Sequence, residues 1–117
     1  MLSSKEVVSL AVKALDDKLA RDIQILKTDK VTTLADYFVL CTAGSTTHAK
    51  TLADAVDKEL SEAGEPPLRR EGYRSGGWTL LDFGCVIVHV FSEEMRSFYS
   101  LDRLWSDAEK IDYKELL

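Results

Sequence analysis

Two runs rich in β-branched, long apolar and aromatic residues, Trp78-Thr79-Leu80-Leu81 and Cys85-Val86-Ile87-Val88-His89-Val90-Phe91, flank Asp82-Phe83-Gly84 and commit this stretch to a β-hairpin. Gly84 can take the positive φ a tight turn demands, so one strand ends near Asp82 and the next begins at Cys85. The second run is apolar except for His89, the pattern of a strand covered on both faces, and belongs in the interior of its sheet. Ser92 then reads as an N-cap with Glu93 and Glu94 in the first turn of a helix. Met95, Phe98 and Tyr99 share one face of it, a stripe continued by Leu101, Leu104 and Trp105, with Ser100 and Asp102 as candidate interruptions. Residues 76–105 therefore carry more aromatic bulk than a small core needs, which points to recognition.

Upstream, Ser3-Ser4-Lys5-Glu6 reads as a capping box, and Val7, Val8, Leu10, Ala11, Ala14 and Leu15 mark one face of a helix to about Lys18. A less clean alternation from Asp22 to Lys27 suggests a strand at a sheet edge, whereas Tyr37 to Ala43 is a continuous apolar strand of the buried kind. Gly44-Ser45-Thr46-Thr47 turns the chain into a second helix with Leu52, Ala53, Val56 and Leu60 at helical spacing, closed by Gly64 and stopped by Pro66 and Pro67. Leu68 to Tyr73 reads as a short strand, and Ser106 to Leu117 as a charge-rich tail holding a loosely attached helix. A strand, helix, strand succession over residues 37–73 implies a crossover, and the hairpin implies antiparallel pairing. The expected fold class is α/β: a mixed β-sheet of about five strands with helices packed on it, formed by residues 1–108, with 109–117 as tail.

A chain of 117 residues supports one hydrophobic core, and with 45% apolar and 30% charged residues it falls in the soluble globular class. Met1 to Ala14 mixes charges into an amphipathic pattern unlike a signal peptide, and no window approaches the roughly 18 apolar residues of a membrane span, so a cytoplasmic location is expected. Cys41 and Cys85, both placed in strands, have no CxxC spacing or histidine cluster and read as buried free thiols rather than metal ligands. A formal net charge of −5 argues against gripping a nucleic-acid backbone and suits either plain solubility or a basic partner.

The candidate chemistry is thin. Gly44-Ser45-Thr46 lies where a strand meets a helix and could hold an anion, but lacks the Gly-rich run and Lys of a phosphate loop, and Ser45 or Thr46 serves as a cap. The same turn opens the active site of nucleotidyltransferases; here the following acids, Asp54 and Asp57, lie within a helix, and no Asp-x-Asp strand supplies ligands for two metals. Asp82-Phe83-Gly84 spells the kinase triplet without any other kinase motif and is a turn. His48 and His89 have no visible nucleophile partner and read as structural. Tyr73, Trp78, Tyr99 and Trp105 either fill the core or, beside Arg74, Arg96 and Arg103, form an interface.

Several ordered blocks carry a resemblance over residues 5–108: Ala35-Asp36-Tyr37-Phe38-Val39-Leu40-Cys41-Thr42-Ala43-Gly44-Ser45-Thr46-Thr47-His48, Glu71-Gly72-Tyr73, Trp78 to Gly84, Val88-His89-Val90-Phe91, and Phe98 to Trp105. Together they resemble the ribosomal silencing factor family, also called Iojap. The resemblance implies a nucleotidyltransferase-like fold without the catalytic acids, no cofactor or metal, and a non-enzymatic activity. It implies binding to ribosomal protein L-fourteen on the large ribosomal subunit, steric blocking of small-subunit joining, and lower translation when nutrients are scarce. It also allows a homodimer in the free state. Carried onto matching positions, it nominates Tyr73, Trp78, Leu81, Asp82, Tyr99, Leu101, Leu104 and Trp105 as partner-binding residues, with Glu94 and Asp102 as charge partners for Lys or Arg. The competing classes are a phosphoryl-transfer enzyme using the Gly44-Ser45 turn and a self-associating scaffold.

Overall fold

The computed structural model describes residues 2–30, 32–72, 77–99 and 108–116, with the backbone alone for residues 97–99. Helix α1 (Ser4–Asp17) starts at the capping box: Ser3 Oγ accepts from the Glu6 amide while the Glu6 carboxylate accepts from the Ser3 amide. Strands β1 (Arg21–Lys27) and β2 (Tyr37–Ala43) follow, then α2 (Thr46–Glu62). The end of α2 shows why Gly64 stands there: at φ 86° it lets its own amide bond Ser61 O and the Glu65 amide bond Leu60 O, satisfying two terminal carbonyls. The chain continues through β3 (Arg69–Glu71), β4 (Trp78–Asp82), β5 (Val86–Ser92), α3 (Glu93–Tyr99), β6 (Glu109–Ile111) and a 3-10 turn at Tyr113–Leu116. Met95 N–H donates to Ser92 Oγ at 3.2 Å, the N-cap expected for α3.

Six strands lie in the order β3-β4-β5-β2-β1-β6, with β2 and β5 parallel and every other pairing antiparallel, so the sheet is mixed. The two continuous apolar runs, β2 and β5, sit side by side at its centre, because only there are both faces of a strand dry. One face packs under α1 and α2 through Val39, Cys41, Leu81, Val86, Val88 and Val90. The other carries Phe38, Leu40, Ile87 and Phe91, with α3 laid on β5 and β2. Val12 joins the buried face of α1, which contacts α2 as well as the sheet. No helix among the described residues is long and apolar enough to cross a membrane.

The C-terminal segment departs from expectation. Glu109–Ile111 is not a loose tail but a sixth strand, its residues paired with Lys27, Leu26 and Ile25 of β1, and Leu116 O accepts from Ser9 Oγ of α1. Residues 109–116 thus belong to the domain, and β1 lies inside the sheet rather than at its edge. Cys85 likewise lies in the hairpin turn and not in a strand, half-buried, its carbonyl accepting from the Asp36 amide. Burial pushes the thiol of Cys85 up, and that of Cys41 up to about 12, which leaves both protonated at neutral pH.

Candidate functional site

Alternation along β4 divides its residues between the two faces of the sheet. Thr79 and Leu81 are buried, Leu81 completely and within the cluster under the helices. Trp78, Leu80 and Asp82 take the opposite face and are only half-buried. Across the pairing with β3, Leu80 faces Glu71 and Asp82 faces Arg69. Met95 of α3 packs against the same apolar cluster as Trp78 and Leu80, so helix and hairpin together present one patch. A recess of about 210 Å³ opens there between Glu71, Trp78 and Leu80.

Beneath the patch is an aromatic stack. The Trp78 ring lies over Phe91, its partner on β5, with centroids 5.1 Å apart and planes inclined by 29°. It also reaches diagonally to His89, whose Nδ1 accepts from the indole N–H at 3.1 Å. Phe38 of β2 meets the imidazole edge-on at 5.1 Å. This bond fixes the neutral imidazole with its proton on Nε2, and Nε2 is buried without a hydrogen-bond partner among the described residues. Burial, and secondarily the charge of Arg96, pushes the His89 pKa down to about 4.

The nominated residues separate accordingly. Trp78 is on the patch, and Glu94 is exposed in the first turn of α3. Leu81 is a correction: a strand residue three positions from Trp78 points to the other face, and it is core. Asp82 uses Oδ1 to accept from the Gly84 amide and Oδ2 to accept from Arg69, so its carboxylate is engaged by its own turn and by the neighbouring strand β3. Tyr73, Leu101, Asp102, Leu104, Trp105 and the Tyr99 side chain lie outside the described residues. Three residues of the patch were missing from the nominations: Leu80, which the two-residue strand period would have found, Glu71, its cross-strand partner, and Met95 of α3.

The Gly44-Ser45 turn serves the fold. Ser45 Oγ accepts from the His48 amide at 3.0 Å as the N-cap of α2. The Gly44 amide donates to His48 Nδ1 at 2.9 Å, and His48 Nε2 bonds Lys18 O at 2.8 Å, tying the turn to the end of α1. Asp54 and Asp57 of α2 both pair with Arg70 of β3, at 3.0 and 2.7 Å. Among the described residues no three His, Cys, Asp or Glu side chains gather in a way that could hold a metal.

Comparison with known proteins decides the family: the family model described as "Ribosomal silencing factor during starvation" matches residues 1–117. The chain belongs to the ribosomal silencing factor family. A ribosomal silencing factor of Halalkalibacterium halodurans is 34% identical over 116 residues, covering 99% of each chain. Another, from Bacillus subtilis, is 35% identical over 111 residues, covering 95% of this chain and 94% of its own. A crystal structure from Chromobacterium violaceum superposes with a TM-score of 0.88 at 37% identity, covering 90% of this chain and 88% of that one. In this silencing-factor chain the Trp78 face is an apolar surface that the described residues leave half-exposed.

Proposed function

We propose that this chain docks on ribosomal protein L-fourteen of the large ribosomal subunit and, by its own volume, blocks joining of the small subunit, lowering translation initiation when nutrients are scarce. The observation that carries the reading is the patch of Trp78, Leu80 and Met95, apolar yet half-exposed on the side of the sheet away from α1 and α2, with Glu94 exposed on the same helix as Met95 and Glu71, paired with Arg69, on the neighbouring strand. A large half-exposed ring on a chain of net charge −5 suits a basic protein surface: charge steers the encounter, and the ring, once covered by the partner, sets the residence time. An interface of ordinary size, roughly 800 Å² on each partner, needs more than these side chains, and Tyr73, Tyr99, Leu101, Asp102, Leu104 and Trp105 are proposed to complete it. No cofactor or chemical turnover enters, and the cytoplasm is the site of action. A homodimer of the free protein would cover the same patch and must open before docking.

Calorimetry with purified L-fourteen tests the contact. The native chain should bind, and Trp78→Ala should weaken binding by about 2 kcal/mol, roughly thirtyfold. No heat of binding with the native chain, or full affinity in the variant, rules out this docking mode.

A further inference from the structure

We infer that His89 is a positioning residue for the docking face: its Nδ1 clamps the Trp78 indole in the orientation offered to the partner. The inference rests on the docking reading above and adds a residue that is itself sealed from any partner, 4% exposed in the middle of β5.

Three observations carry it. First, His89 is an expensive choice for its position. Its neighbours on that face, Phe38, Leu40, Ile87 and Phe91, are apolar, and a buried Nε2–H without an acceptor costs stability that a Phe or Leu would not. The cost is explained by what Nδ1 does, since none of those neighbours offers a side-chain acceptor to the indole. Second, Trp78 is half-exposed on the open face of the sheet, and a fixed acceptor at its nitrogen gives the ring a direction that packing on Phe91 alone does not. Third, the bond acts together with the stack. Trp78 sits directly opposite Phe91 and only diagonally from His89, so the ring lies down over Phe91 at 5.1 Å and is pinned at its nitrogen end. Both side-chain torsions of Trp78 are thereby set before a partner arrives, and ordering that binding would otherwise have to impose is already complete.

The test combines a measurement on the free chain with one on the complex. In free, 15N-labelled protein, the Trp78 indole N–H should exchange with solvent at least tenfold faster in His89→Phe than in the native chain. In His89→Gln, whose amide oxygen can still accept, it should stay near the native rate. Co-sedimentation with large ribosomal subunits should weaken about tenfold for His89→Phe and much less for His89→Gln. In a Trp78→Phe background, where no indole N–H exists, His89→Phe should change affinity no further. Equal losses in both backgrounds would reduce His89 to a packing residue and overturn the inference. So would an exchange rate indifferent to His89→Phe, and if that variant does not fold, a freely exchanging indole in His89→Gln has the same force. Failure of the native chain to sediment with large subunits removes the docking reading instead, while the exchange rates still report whether the clamp exists.

Discussion

Mild acid should loosen this fold through one residue. His89 titrates at an ordinary 6.5 when the chain is unfolded, and burial, with the charge of Arg96 adding to it, pushes it down to about 4 in the folded state. Between those values the unfolded chain binds a proton that the folded chain refuses. Stability is therefore unaffected above about pH 6.5, falls as the pH drops, and has lost its full amount below about pH 4. The difference between 6.5 and about 4, at about 1.36 kcal/mol per pH unit, puts that loss on the order of 3 kcal/mol. For a domain of 117 residues this corresponds to a melting point lower by roughly 12 °C. Protonation of carboxylates also acts in this range, so the assay is a difference: urea unfolding of the native chain and of His89→Gln at pH 7, 5.5 and 4. The carboxylate contribution is common to both and cancels. The native chain should lose about 3 kcal/mol more than the variant between pH 7 and pH 4, most of it below pH 6. A difference between the two chains that does not change with pH would refute the reasoning, because it would mean the buried ring gains its proton as readily as an exposed one.

Other substitutions separate core from surface. Leu81→Ala should cost about 2–5 kcal/mol of folding stability by urea unfolding and leave the affinity of the folded fraction for large subunits unchanged, whereas the folded fraction of Trp78→Ala loses affinity. Gly72→Ala should destabilise by about 2 kcal/mol or more, since Gly72 adopts φ 74° and a Cβ there would meet Trp78 O at 2.0 Å; a variant as stable as the native chain would contradict this geometry.

Much of the fold was legible because its signals are local. The capping box at Ser3 and Glu6, the Gly64 helix stop and the apolar runs that became β2 and β5 each act through neighbours a few residues away. Strand β6 was not legible for the opposite reason. Glu109-Lys110-Ile111 contains one apolar residue in three, and it is a strand only because β1, more than eighty positions earlier, offers it a free edge to pair with. The interior place of β1 in the sheet has the same non-local origin. At the site, the aromatic surplus of the hairpin was visible, and Trp78 does stand on the open face. Leu81 was misassigned where strand geometry already spoke: residues 78 and 81 cannot share a face, whereas 78 and 80 must. Which of the two faces the helices would cover could not be read from the hairpin itself, because Leu80 and Leu81 are identical side chains distinguished only by what packs on them. His89 shows the same limit, since its role depends on a diagonal neighbour set by the register of two strands.

Subunit joining is the step that docking of this chain would stop. Purified large subunits are incubated with this chain at a few times its Kd, small subunits are added, and joined particles are followed by light scattering and resolved on a sucrose gradient. The account predicts that the protein travels with the large subunit, that joining falls steeply, and that Trp78→Ala restores it. Joined particles forming at their normal rate, with the protein left at the top of the gradient, would contradict it.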